Sequence, residues 1–185
     1  MHRVACGRWT ARPRHRGAAA TGVGPVTRYL VDSSVVARHA RPAIAERLAP
    51  LAAVGRMLIC DITMMDQQVS ARTANDSQKL EYFFSGFEQP PITPEVFGRA
   101  KEVQRRLVQR SLHRSVKIPD LILASAAELN GLTVLHYDKD FDRIAEVTGQ
   151  PVEWVVPPGE ADLFRARNRA RSCCSGPGSL PHTHQ

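Results

Sequence analysis

The sequence predicts an α/β fold in which a mostly parallel sheet is covered by helices on both faces. Three observations carry this. Short apolar, β-compatible runs recur at 27–31, 56–60, 132–136 and 152–156. Segments with helical spacing of apolar residues lie between them, and strands separated by helices pair in parallel through right-handed crossovers. A hydrophobic content of 43% and a central span of ordinary domain length are enough for one core.

TRYLV (27–31) is the first strand, and Asp32-Ser33-Ser34 after it starts a helix well, because short polar side chains accept from free first-turn amides. PAIAERLAPLAAV (42–54) has helical spacing; Pro42 suits a first turn and Pro50 is expected to break the helix. RMLIC (56–60) is the second strand. Asp61 or Thr63 then caps a helix expected to reach Arg72, and a further helix fits 76–86, ended by Gly86. After Thr93-Pro94 comes a long amphipathic helix with Val96, Ala100, Val103, Leu107 and Val108 on one side. Pro119-Asp120 opens LILASAAELNG, which is apolar on nearly every face and so should be buried. LTVLH (132–136) is a strand, FDRIAEVTG a short helix and VEWVV (152–156) the last strand.

A formal charge of +7 points first to a nucleic-acid or membrane partner. Its distribution changes that reading. Residues 1–28 hold six arginines and no acid, and 165–185 hold four arginines and no acid, so 29–164 carries a net −3. Residues 1–26 are expected to be disordered or the product of an over-extended reading frame, with the physiological start near Val26. Residues 27–160 form the folded domain, and 161–185 a disordered basic tail. No run approaches the roughly 18 apolar residues of a membrane helix, and the N-terminal stretch lacks the apolar core of a secretory signal. The cysteines, Cys6, Cys60, Cys173 and Cys174, make no CxxC pair. That suits a reducing cytoplasm and provides no zinc knuckle.

The informative residues are acids. Asp32 directly follows the first strand, Asp138 follows LTVLHY, and Asp140 comes two residues later. Asp120 opens the buried helix, and Asp66 lies one turn into the helix after the second strand. Singly, Asp32, Asp120 and Asp140 are also explained as caps or first-turn acids, and Asp66 as a solvated helix residue. Together they read differently, since sites in such sheets form beyond the carboxyl ends of the strands. Carboxylates gathered there repel one another unless a cation neutralises them, and Mg²⁺ or Mn²⁺ takes oxygen ligands. The sequence has no G-x-x-x-x-G-K-[ST] phosphate loop, no G-x-S-x-G elbow and no H-E-x-x-H. Residues 99–117 hold seven basic residues and one acid, with Arg99, Arg106 and Arg110 at helical spacing. They form either a track for phosphates near the acids or a solvated face.

RYLVDSS, VSAR, HRSVKIPDLILASAAELNGLTVLHYDKDFDRIA and QPVEWVV together resemble the PIN-domain ribonuclease toxins of VapBC toxin–antitoxin systems, in particular the actinobacterial branch, over roughly residues 27–160. The resemblance implies a three-layer α/β/α sandwich and an Mg²⁺-dependent endoribonuclease that hydrolyses RNA phosphodiester bonds, with Mn²⁺ as a substitute. It also implies the toxin role in a type II system, a homodimer and a VapB-like antitoxin. The family's acidic quartet falls on Asp32, Asp66, Asp120 and Asp138. Metal is then expected on Asp32, Asp120 and Asp138, with Asp66 and Asp140 as further ligands. Ser34 takes the place of the family's small hydroxyl residue; with Arg72, Arg106 and Arg110 it is the expected substrate contact. One departure stands out. Asp66, in DQQVSAR, occupies the place of a family Glu, and one methylene fewer withdraws the carboxylate by about 1–1.5 Å. The alternative is therefore a catalytically weakened PIN scaffold that mainly binds antitoxin or RNA.

Overall fold

Alternation along very short strands builds the molecule. The structure, a computed structural model, describes residues 26–161; the expectations for the arms before and after this span fall outside it. Four strands lie parallel in the order β2 (Met57–Leu58), β1 (Tyr29–Val31), β3 (Thr133–His136), β4 (Val152–Trp154). Leu30 sits beside Leu58 on one side and Val134 on the other. A parallel bridge from Leu58 to Glu88 extends the β2 edge.

Successive side chains of a strand point to opposite faces, and here both faces are covered. Leu30, Leu58 and Val134 pack with α5 (Pro94–Gln109), α6 (Ile118–Leu129) and α7 (Asp140–Thr148), through Val103, Leu107, Leu123, Phe141 and Ile144. Tyr29, Val31, Met57 and Leu135 face the other way, against Val35 of α1 (Ser33–Val36), Ile44 and Leu48 of α2 (Pro42–Ala53) and Phe84 of α4 (Ala74–Phe84). This is the three-layer sandwich expected from the sequence. Each fully buried Leu or Phe contributes about 1.5–3 kcal/mol, so Leu30→Ala at the sheet centre is the single change that would loosen one layer most directly. Helix α6 is apolar nearly all round because it is buried nearly all round, from Leu121 through Ala127. Asn130 caps it, its amide side chain donating to the Ala126 carbonyl at 2.8 Å, and Gly131 follows at φ 62°.

Several boundaries differ from the sequence reading. Pro50 does not break α2, which continues to Ala53. Pro50 is exposed, so the carbonyl it leaves without a helical donor can meet water, while Leu48 and Leu51 on either side anchor the turn. The helix after β2 is α3 (Asp61–Gln68) and ends before Arg72. There the Ser70 hydroxyl donates to the Gln67 carbonyl at 2.6 Å, satisfying a group the next turn would have used. Helix α4 starts earlier than expected because Thr73 caps it, accepting from the Asp76 amide at 3.1 Å, and it ends at Phe84 rather than Gly86.

Candidate active site

The sheet order places the carboxyl ends of β1 and β3 side by side, with the chain leaving β1 toward one face and β3 toward the other. Asp32 leaves β1 as the N-cap of α1, its Oδ2 accepting from the Ser34 amide at 2.8 Å. Ser34 also fastens the two strand ends together, since its Oγ accepts from the Tyr137 amide at 3.0 Å. Helix α6 aims its N-terminus at the same point and carries Asp120 in its first turn. Helix α3 is tied in by Thr63, whose hydroxyl donates to the Val31 carbonyl at 3.0 Å. That tether brings Asp66, one turn later, to the rim. Asp32, Asp66, Asp120 and Lys117 thus line one crevice of about 70 Å³.

Asp138 and Asp140 close the site from the β3 side. Oxygens of Asp120, Asp138 and Asp140 lie within 4.8 Å of one another. Asp138 accepts from the Asp140 amide at 3.1 Å and from Lys117 Nζ at 3.4 Å, while Asp140 accepts from Arg143 at 2.6 Å. Asp120 belongs to both groups and is the centre of the arrangement.

The electrostatics are unbalanced. Burial first, then the Asp32 charge, push the Asp120 carboxyl up to about 7; Lys117 pulls it back, and Asp138 and Asp140 add to the rise. Burial also raises Asp32, against hydrogen bonds from the Ser34 hydroxyl and the Ser34 and Ser33 amides, and Asp138 adds to the rise. Asp120, 8% exposed, has an Oδ2 with no hydrogen-bond partner. A buried carboxylate oxygen without a donor is costly. The donors are all oxygen, the set a hard divalent ion prefers, and the cluster can hold a metal ion.

The other expected residues are placed as follows. Ser34 positions Asp32 and lies outside the crevice lining. Arg72 is exposed between α3 and α4, also away from that lining. Arg106 and Arg110 are not at the crevice. They donate to the Val147 and Glu146 carbonyls at 3.5 and 3.1 Å, at the far end of α7 from Asp140. The physical reason is that a helix C-terminus leaves carbonyls that cations satisfy. His136 is wholly buried at the end of β3, 2.8 Å from the Asp138 carbonyl through Nδ1, and burial depresses its pKa.

Sequence reasoning counted Lys117 only as one of the basic run 99–117, and it missed Tyr137, Arg143 and Trp154 beside the cluster. For Lys117 the signal was its place three residues before Asp120, which puts a helix entry and its first-turn acid on one rim. Trp154 could have been found from register, since it pairs with His136 at the carboxyl end of the sheet.

Carboxylates converging from β1, α6 and the end of β3 define an α/β domain with an acidic site able to hold a metal ion. Residues 29–147 match the PIN domain, and the chain belongs to that family. It is 48% identical over 136 residues to ribonuclease VapC21 of Mycobacterium tuberculosis strain H37Rv, covering 73% of this chain and 99% of the relative. With ribonuclease VapC51 of the same strain the identity is 45% over 135 residues, 73% of this chain and 98% of the relative. Among solved structures, DNA-bound VapBC from Salmonella typhimurium superposes with a TM-score of 0.57 at 20% identity, covering 71% of this chain and all of that one. VapBC2 of Rickettsia felis, bound to a promoter DNA fragment, gives 0.57 at 18% identity, with 68% and 96% covered. At those identities the solved structures show the shared fold.

Proposed function

We propose that this chain is the toxin component of a type II toxin–antitoxin system, an endoribonuclease that hydrolyses RNA phosphodiester bonds with Mg²⁺, for which Mn²⁺ substitutes. One observation carries the reading: Asp120 Oδ2 is buried without a donor and surrounded by further carboxylates. A divalent cation is the group that satisfies it. The likeness to two VapC ribonucleases supports RNA as the substrate.

Asp32, Asp120 and Asp138 would hold the principal ion, with Asp66 and Asp140 as further ligands. The ion, when bound, lowers the pKa of water and stabilises charge on phosphoryl oxygens. The protein's own residues do the positioning. Ser34 fixes the Asp32 carboxylate through its hydroxyl and amide. Arg143 fixes Asp140. Asp66, exposed at the rim, orients the incoming water. Lys117, with a side chain 69% exposed, stands where a phosphate would enter and offers positive charge to it.

The partners follow from the same reading: a VapB-like antitoxin, and a second copy of this chain in a homodimer. An antitoxin Arg or Lys inserted among the carboxylates would compete with the metal through charge complementarity. No helix among the described residues is long and apolar enough to cross a membrane, and a toxin that cuts cellular RNA would act in the cytoplasm. The test is RNA cleavage by antitoxin-free protein. Cleavage is expected with Mg²⁺ and abolished by EDTA; equal cleavage in EDTA would overturn the assignment.

A further inference from the structure

A second cavity lies on the other side of Asp138 and Asp140, and the chemistry above does not use it. It is an open groove of about 430 Å³ between Tyr137, Lys139, Arg143 and Trp154, bordered by Pro158 and Gly159. Asp138 and Asp140 line it as well, so it shares a wall with the carboxylate cluster. Its volume is that of a small-ligand site.

The walls are held rigid. The Trp154 indole N–H is taken by Asp142 at 3.0 and 3.2 Å, and the ring lies 5.0 Å from His136 and edge-on to Tyr137 at 5.5 Å. Tyr137 is clamped in turn: its hydroxyl accepts from the Gly159 and Ala161 amides at 2.8 and 3.3 Å, and Arg38 stacks on its ring at 5.1 Å. The Arg143 guanidinium is fixed between Asp140, at 2.6 Å, and the Ser115 carbonyl, at 3.2 Å. An indole whose polar edge is already satisfied, beside a fixed planar cation, is the kind of surface on which unstacked bases of single strands settle. Lys139 and Arg143 balance Asp138 and Asp140 in the lining, and Arg143 is already committed to Asp140, so the pocket offers no unpaired field for a phosphate and the part of a nucleotide that fits its aromatic wall is the base. The phosphate stays on the side of Lys117 and the metal cluster.

We infer that this cavity receives one unstacked nucleobase of single-stranded RNA, from the nucleotide next to the cleaved phosphate, with Trp154 as the stacking surface. The inference rests on the ribonuclease reading above and adds the place where sequence preference would be set.

The full chain holds two tryptophans, so Trp9→Phe leaves Trp154 as the single indole fluorophore, and Asp120→Asn added to it prevents turnover. This protein is titrated with a single-stranded RNA dodecamer and with a dodecamer of the same backbone lacking bases. The RNA is expected to change Trp154 emission saturably, and the abasic strand to leave it unchanged. By anisotropy of labelled strands, Trp154→Ala is expected to weaken RNA binding by about 5–100-fold, the scale of one lost base–aromatic stack. Trp154→Phe should retain most of the affinity. Because the emission change is read on an intact Trp154, it stands even where the alanine variant folds poorly. RNA that binds without altering emission would overturn the pocket and leave the ribonuclease reading intact. A parent protein that neither binds nor cuts RNA with Mg²⁺ would overturn the ribonuclease reading, and with it this assignment.

Discussion

Helix α6 carries an acid near each end, and the two live in opposite surroundings. Glu128, in its last turn, accepts from Arg99 Nε and Nη2 at 2.8 and 2.7 Å, and Arg99 reaches Glu102 at 2.9 Å as well. Every charge there meets its opposite, and those carboxylates hold the Arg99 proton more firmly than usual. Asp120, in the first turn, faces Asp32, Asp138 and Asp140 with only Lys117 in partial compensation. The helix and the residue type are shared, but Asp120 is buried where Glu128 is half-buried, and the balance of charge differs as well. A site is marked by where charge goes uncompensated at a cost to the fold, rather than by how much charge is present.

The largest expected effect breaks that contrast directly. Asp120→Asn or Asp32→Asn should reduce RNA cleavage by about 10²–10³-fold or more, the scale of losing one preorganised electrostatic partner. Glu128→Gln should leave the rate within about twofold and lower stability instead. The same substitution has a pH signature. Asp120 has a folded pKa near 7 against an ordinary 3.8, so without metal the folded chain binds more protons than the unfolded chain between about pH 4 and 7. Stability therefore falls as pH rises through that window, by on the order of 2–4 kcal/mol. Metal-free protein should melt higher at pH 5 than at pH 8, and Asp120→Asn should flatten the difference. Mg²⁺ should raise the melting temperature at pH 8 more than at pH 5. Buried His136, with its depressed pKa, works in the opposite direction over the lower part of this range, so an Asp120→Asn variant whose melting temperature varies with pH just as the parent's does would contradict the assignment.

Asp66 sharpens the comparison, because it is the exposed carboxylate of the crevice, where Asp32 and Asp120 are buried. Lengthening it by a methylene in Asp66→Glu moves a carboxylate by about 1 Å, a distance that can be worth up to about 10²-fold in rate. Since Asp66 already lines the crevice beside Asp32 and Asp120, the expected gain in kcat/KM is below about tenfold. A gain near 10²-fold or beyond would identify the natural chain as mainly a binding scaffold.

Much of this was legible in the sequence, for reasons that can be named. Strands such as YLV and TVLH reveal themselves because their alternate residues feed two separate cores, and LILASAAEL because burial on all sides demands apolar residues on all sides. Asp32, Asp120 and Asp138 were legible because each lies within two residues of a strand end or in the first turn of a helix, and topology then decides that they meet. The departures involve groups whose partners are distant in sequence. Pro50 reads as a break until the surrounding leucines are seen to anchor both sides. Trp154 has meaning only through its register with His136. Lys117 looks like one cation in a basic run, yet it is the one that turns toward the acids.

Arg106 and Arg110 belong to that same run, and they carry the smallest expected effect. Their guanidinium groups satisfy carbonyls at the C-terminal end of α7, where cations also complement the helix dipole. Arg106 pairs with Glu102 besides. The helix starts at Asp140, and the carbonyls these arginines bind, those of Glu146 and Val147, lie about 9–10 Å along its axis from that carboxylate. Replacing both with alanine should therefore lower stability by about 0.5–1.5 kcal/mol and leave RNA cleavage within about twofold. Thermal melts and kcat/KM on one single-stranded RNA separate the two outcomes. A tenfold loss of kcat/KM at unchanged melting temperature would mean that RNA runs along α7 to reach the crevice, and that the basic run tracks phosphates after all.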